Sequence, residues 1–209
     1  AGINYIFPNI VFFGLFVLSS ILALMLGFVM YYCISLAMFW VYGTVLKEQD
    51  VITRDLWEVW GGAKEETIRK FDEFFSTRYV DKIKPAKGAV EGIAELIKLG
   101  FDIYVVTARP TMSAENTLRW LNKYFKESFN ERVYFSDDAS GYTKSCICGD
   151  LGVEVIIEDA PSHAVDCAVD RKVLLYDKRW NRKCEGKNII RVSSWADIIK
   201  YLKAPALSP

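Results

Sequence analysis

VEGIAELIKLGFDIYVVTARPTMSAENTLRWLNKYF, residues 90 to 125, is the stretch that decides the fold. Ile93, Leu96 and Ile97 recur at helical spacing up to Gly100, a residue suited to the left-handed turn that ends a helix. Phe101 to Thr107 then switch to the aromatic and β-branched composition of a strand. From about Ser113 to Phe125 the helical spacing returns. Helix, strand and helix at these intervals form one unit of a parallel sheet.

The unit repeats toward the C-terminus. VYFS, VEVIIED and KVLLYD read as strands, separated by helices over Lys144 to Leu151 and Ser162 to Val169. A last helix runs from Ser194, a good N-cap, to Leu202, and Gly152 marks a second helix stop. Nearly continuous apolar strands belong to a sheet covered on both faces, so residues 84–209 are expected to form a Rossmann-like parallel α/β domain. Residues 47–83 are charged, with apolar positions at helical spacing and a break at Gly61 and Gly62, and read as a small helical segment. The charges of KEETIRKFDE are expected to form i,i+4 pairs on its wet face, and Trp57, Trp60 and Trp120 to serve as core.

Polar groups at the carboxyl ends of parallel strands face the ligand crevice. Here they are Thr107 with Arg109, Ser136 with Asp137 and Asp138, and Glu158 with Asp159, and Lys144 opens a helix on the same rim. A hydroxyl and an ammonium suit phosphoryl oxygens, and carboxylates suit a hard cation such as Mg²⁺. The only histidine, His163, reads as a surface or helix-end residue.

These residues carry a family resemblance. VEGIAELIKLGFDIYVVTARPTMSAENTLRWLNKYF, VYFSDD, TKSCICGDLG, VIIEDAPSHAVDCA and VLLYDKRWN resemble the haloacid-dehalogenase-like (HAD) phosphatases, within them the small nucleotidase-like proteins. With YGTVLKEQDVITRDLWEVWGGAKEE, similar to the family's helical cap, the resemblance covers roughly residues 42–182. It implies a phosphate-binding role for Thr107, Arg109 and Lys144, and a metal-holding role for Glu158 and Asp159. It also implies an Asp-x-Asp pair after the first strand, one Asp attacking phosphorus and the other acting as general acid and base. No Asp or Glu occurs before Glu48; the nearest echo, FVLSSILA, has Val17 and Ser19 in those places.

All 26 Lys and Arg and all 26 Asp and Glu residues lie from Lys47 onward. Residues 10–46 are apolar with no polar face, and as one helix they would reach roughly 55 Å, longer than one membrane crossing requires. Residues 1–46 are therefore expected to be a transmembrane or assembly-core helix, a layout similar to type IV pilin-like subunits or single-pass anchored proteins. The competing expectation makes residues 10–18 a buried parallel strand and residues 21–41 a core helix.

With the two aspartates missing, the leading expectation is a non-catalytic structural or assembly subunit in a membrane or filament, with no cofactor. Residues 10–46 would contact lipid or copies of the chain, and the head would face the cytoplasm, since Lys47, Arg54 and Lys64 follow the apolar run; a filament subunit would place it outside. The alternatives are a membrane-anchored Mg²⁺-dependent phosphatase or 5′-nucleotidase, and a phosphate- or nucleotide-binding module without turnover. The zero net charge with no basic run argues against nucleic-acid binding. Five cysteines without paired spacing argue against a disulfide-stapled module.

Overall fold

The computed structural model describes residues 10–13, 52–53, 56–76, 81, 83–129 and 131–204. Six parallel strands form one sheet in the order β3-β2-β1-β4-β5-β6. They are β1 (Ile10–Phe13), β2 (Ile103–Thr107), β3 (Val133–Phe135), β4 (Val155–Glu158), β5 (Lys172–Tyr176) and β6 (Ile189–Val192). The helices are α1 (Leu56–Trp60), α2 (Lys64–Ser76), α3 (Ala89–Lys98), α4 (Ala114–Phe125), α5 (Lys144–Asp150), α6 (Pro161–Cys167) and α7 (Trp195–Leu202). The chain moves outward from β1 through β2 to β3, then returns to the other side of β1 to lay down β4, β5 and β6. That reversal opens a crevice at the carboxyl ends of β1 and β4.

β1 corrects the expectation for the N-terminus. Ile10–Phe13 is not the start of a long helix; it pairs with β2 on one side and β4 on the other. A strand in the middle of a parallel sheet is covered on both faces, which accounts for the apolar character of these four residues. No helix among the described residues is long and apolar enough to cross a membrane. The single-pass and filament readings of residues 1–46 lose their starting point with it. Residues 14–46, with Val17 and Ser19, lie outside the described residues.

Elsewhere the elements follow from sequence. Ala89, Gly92, Ile93 and Leu96 are the buried stripe of α3, and Gly100 follows the helix at φ 88°, as the left-handed stop requires. Ser194 Oγ accepts the Asp197 N–H at 3.1 Å, while Asp197 accepts from Ser193 N at 3.1 Å and Ser193 Oγ at 2.8 Å, so the start of α7 is capped from both directions. Trp120 is core as expected, with its indole N–H donating to Ile83 O at 2.8 Å; Trp57 is only half-buried. Gly61 and Gly62, at φ 68° and 128°, separate α1 from α2, whose exposed face carries the Arg69–Glu73 and Lys70–Glu66 pairs.

β6 is the strand that the sequence did not announce. It is an edge strand interrupted by an exposed Arg191, and a charge on an edge both breaks the apolar pattern and discourages pairing with other chains.

The contact between α3 and α7 allows a test of sign. A Cβ added at Gly92 would stand 2.3 Å from Trp195 Cε3, inside a closed helix–helix contact. Gly92→Ala, which in an open helix position would stabilise by about 0.5–1 kcal/mol, is expected here to destabilise by about 1–3 kcal/mol in urea unfolding. A more stable variant would contradict the packing.

Candidate functional site

The carboxyl edge of the sheet gathers the polar residues that sequence placed there. Thr107, the last residue of β2, is fully buried; its hydroxyl accepts the Arg109 N–H at 3.1 Å, and its carbonyl accepts Ser136 N at 2.7 Å and Ser136 Oγ at 3.3 Å. The ends of β2 and β3 are thereby locked together. Arg109 is also buried and turns toward α4, donating through Nη1 to Thr117 Oγ1 at 2.6 Å, and burial pushes its guanidinium well below its ordinary range.

After β3 the chain closes a tight loop. Asp137 N donates to Tyr142 O and Tyr142 N to Asp137 O, while Asp137 Oδ1 accepts the Ala139 N–H, making Asp137 the cap of a short 3₁₀ turn, Asp138–Ser140. Asp137 is thus a structural cap. The loop delivers Thr143, whose hydroxyl caps α5 by accepting the Cys146 N–H, and then Lys144.

Lys144 is the central feature. Its side chain is 1% exposed, and its ammonium lies 3.1 Å from Oε2 of Glu158, which is 0% exposed. Two charges taken out of water cost several kcal/mol each, and the pair persists only where geometry and further hydrogen bonds compensate. Glu158 supplies them: its other oxygen, Oε1, accepts the N–H groups of Asp159 at 2.8 Å and Ala160 at 2.9 Å. Glu158 thus holds both Lys144 and the turn after β4. The carboxylate of Asp159, the next residue, is also fully buried.

Asp159 is fixed through its backbone. Its carbonyl accepts Trp180 Nε1 at 3.2 Å and Asn181 Nδ2 at 2.9 Å, and the same amide nitrogen donates to Tyr176 O at 2.7 Å. Asn181 Oδ1 accepts Lys178 N and Arg191 Nη1, and Arg191 donates further to the carbonyls of Asn181, Arg182 and Cys184 and to Asp177. The loop after β5 is thus sewn to the end of β4 by the Asn181 amide and the Trp180 indole, and to β6 by the Arg191 guanidinium. Neither Asn181 nor Arg191 was assigned a role from sequence; VLLYDKRWN offered only its position after a strand.

His163 is the helix-end residue that its sequence position suggested, but its contacts were not foreseen. It sits in the first turn of α6 with Nε2 3.4 Å from Asp138 Oδ2 and Nδ1 3.7 Å from Glu158 Oε2. Cys148, by contrast, is inert: its thiol donates to Lys144 O at 2.7 Å, and burial beside Cys167 pushes it far above the ordinary thiol range.

No family model matches the chain. Its sequence relatives include a Bacillus cereus protein named "Putative nucleotidase", 24% identical over 151 residues that span 72% of this chain and 78% of that one. They also include a Bordetella pertussis protein named "Putative 5′(3′)-deoxyribonucleotidase", 23% identical over 125 residues, 58% of this chain and 62% of that one. Among solved structures, a HAD family hydrolase from Deinococcus radiodurans with bound phosphate and sodium superposes with TM-score 0.58 at 15% identity, covering 97% of each chain. Protein tyrosine kinase A of Mycobacterium tuberculosis gives 0.61 at 16% identity, covering 95% of this chain and 100% of that one. The fold is HAD-like.

Two expectations fall with these comparisons. A non-catalytic assembly subunit is contradicted by sequence relatives that carry nucleotidase names and by a fold shared with hydrolases. The HAD-like core also begins at β1, inside the stretch that the membrane-anchored reading reserved for an anchor, so that placement is withdrawn as well.

The ion pair makes a direct prediction. Glu158→Gln leaves a buried ammonium without its counter-charge and should cost about 3–5 kcal/mol in urea unfolding, whereas Lys144→Met with Glu158→Gln removes both charges and should cost far less. A single variant within about 1 kcal/mol of the wild type contradicts the pairing, since breaking a buried pair is strongly destabilising.

Proposed function

We propose that the chain is a HAD-type phosphatase acting on nucleoside monophosphates. The buried Lys144–Glu158 pair at the carboxyl edge carries this reading: a fold stabilised only by its core gains nothing from such a pair, while a phosphoryl site needs a fixed cation. The Lys144 ammonium, fixed by Glu158, would be the cation that meets a phosphoryl oxygen. Thr107, with its hydroxyl oxygen oriented by the Arg109 N–H, would donate to another phosphoryl oxygen. Arg109, tied to Thr117, braces the turn after β2. The nucleotide part of the reading is supported by the names of the sequence relatives.

Mg²⁺ fits the donor set. Mg²⁺ takes one or two carboxylates plus substrate phosphate oxygens and water, and Asp159 provides a buried carboxylate beside the committed Glu158. Bound there, the ion would neutralise charge on the phosphoryl group. Residues 47–83, which include α1 and α2, would act as the cap that selects the leaving group.

The attacking group is not among the described residues. Gly14, Leu15 and Phe16 follow β1 in the sequence, and no carboxylate precedes Glu48. A general acid–base group contributes a factor of about 100 to 10,000, so turnover is expected to be slow by at least that measure against phosphatases that carry the Asp pair.

The test is phosphate release by the purified chain from nucleoside 5′-monophosphates and an aryl phosphate, with Mg²⁺ and with chelator. We expect slow release that requires Mg²⁺, lost on Asp159→Ala and on Lys144→Ala. Phosphate bound with no release above the protein-free rate contradicts the reading.

A further inference from the structure

His163 joins two parts of the site that lie far apart in sequence. Its imidazole is 18% exposed and lies between two carboxylates, Nε2 facing Asp138 Oδ2 at 3.4 Å and Nδ1 facing Glu158 Oε2 at 3.7 Å. Nδ1 is buried and makes no hydrogen bond in the structure, although the carboxylate oxygen in front of it is the one that accepts from Lys144 at 3.1 Å. Asp138 opens the turn that precedes Lys144, and Glu158 ends β4. One ring therefore spans from the segment that delivers the ammonium to the carboxylate that holds it.

We propose that His163 is a positioning residue. It stands against Glu158 Oε2, while the peptide N–H groups of Asp159 and Ala160 hold Oε1, and so fixes where the Lys144 ammonium meets a phosphoryl oxygen. Glu158 Oε1 accepts from those two N–H groups and Oε2 from Lys144, and the imidazole stands 3.7 Å from Oε2, against rotation of the carboxylate away from the ammonium. Its contact with Asp138 holds the ring in place and ties down the loop before Lys144. The inference rests on the phosphoryl-site reading of Lys144.

Binding of inorganic phosphate to the full chain by calorimetry, with kcat and KM for an aryl phosphate, tests the role. His163→Leu removes both ring contacts and should weaken phosphate binding about tenfold, raising KM more than it lowers kcat, because the polar ring that stands against Glu158 and Asp138 is lost. His163→Asn keeps an N–H near the Nδ1 position and should recover most of the loss, and it serves as the working variant if the leucine protein does not fold. In the Glu158→Gln background, His163→Leu should change phosphate affinity by less than about twofold, because contacting residues act non-additively. Unchanged affinity in His163→Leu, no recovery in His163→Asn, or full additivity with Glu158→Gln overturns the proposal. A wild-type chain that binds no phosphate overturns the phosphoryl-site reading together with this inference; a wild type that binds while the variants do not differ overturns this inference alone.

Discussion

A lysine ammonium held out of water by one carboxylate is the constraint around which the rest of the site is built. Lys144 and Glu158 lie on different elements, the first residue of α5 and the last of β4, and their 3.1 Å contact requires both to be placed within a fraction of an ångström. The switch in strand order next to β1 supplies the crevice, the Asp137 turn and the Thr143 cap set the start of α5 where Lys144 reaches Glu158, and two backbone N–H groups orient Glu158. Remove any of these and a buried charge loses its compensation, at a cost comparable to a large part of a domain's net stability.

The same economy of donors governs the neighbouring loop. The Asn181 amide is satisfied at both ends, nitrogen to the Asp159 and Tyr176 carbonyls and oxygen to Lys178 N and Arg191. Buried amides are tolerated when every partner is present, and such a network fixes one arrangement of backbone rather than many. Asp159 therefore stands on a backbone pinned from the β5–β6 connection, and Thr107 ends a strand pinned from β3. Rigid support of this sort is what a phosphoryl site needs, because positioning and fixed electrostatics do most of the catalytic work there.

Much of this was legible in the residues. The stretch from Val90 to Phe125 gave α3, β2 and α4 in order, because Gly100 stops one helix and the β-branched run after it has no helical period. Thr107, Lys144 and Asp159 were legible as strand-end or helix-start polar groups. At Ile10–Phe13 the competing expectation, a buried parallel strand, held over the leading one, a helix; a strand at the centre of a parallel sheet is apolar on both faces, and four such residues at the head of a long uncharged run carry the same hydropathy as the start of a membrane helix. β6 was hidden by Arg191, whose charge reads as solvent but whose guanidinium staples a loop. His163 could not be found from spacing, since its partners Asp138 and Glu158 lie on other elements.

The central claim is that the buried pair exists to present a cation to a phosphoryl group rather than to hold the fold. Binding of inorganic phosphate to the doubly substituted chain, Lys144→Met with Glu158→Gln, tests it most directly, alongside urea unfolding of the same protein. The account predicts a folded chain of near wild-type stability that no longer binds phosphate. Phosphate bound as tightly as by the wild type would contradict it.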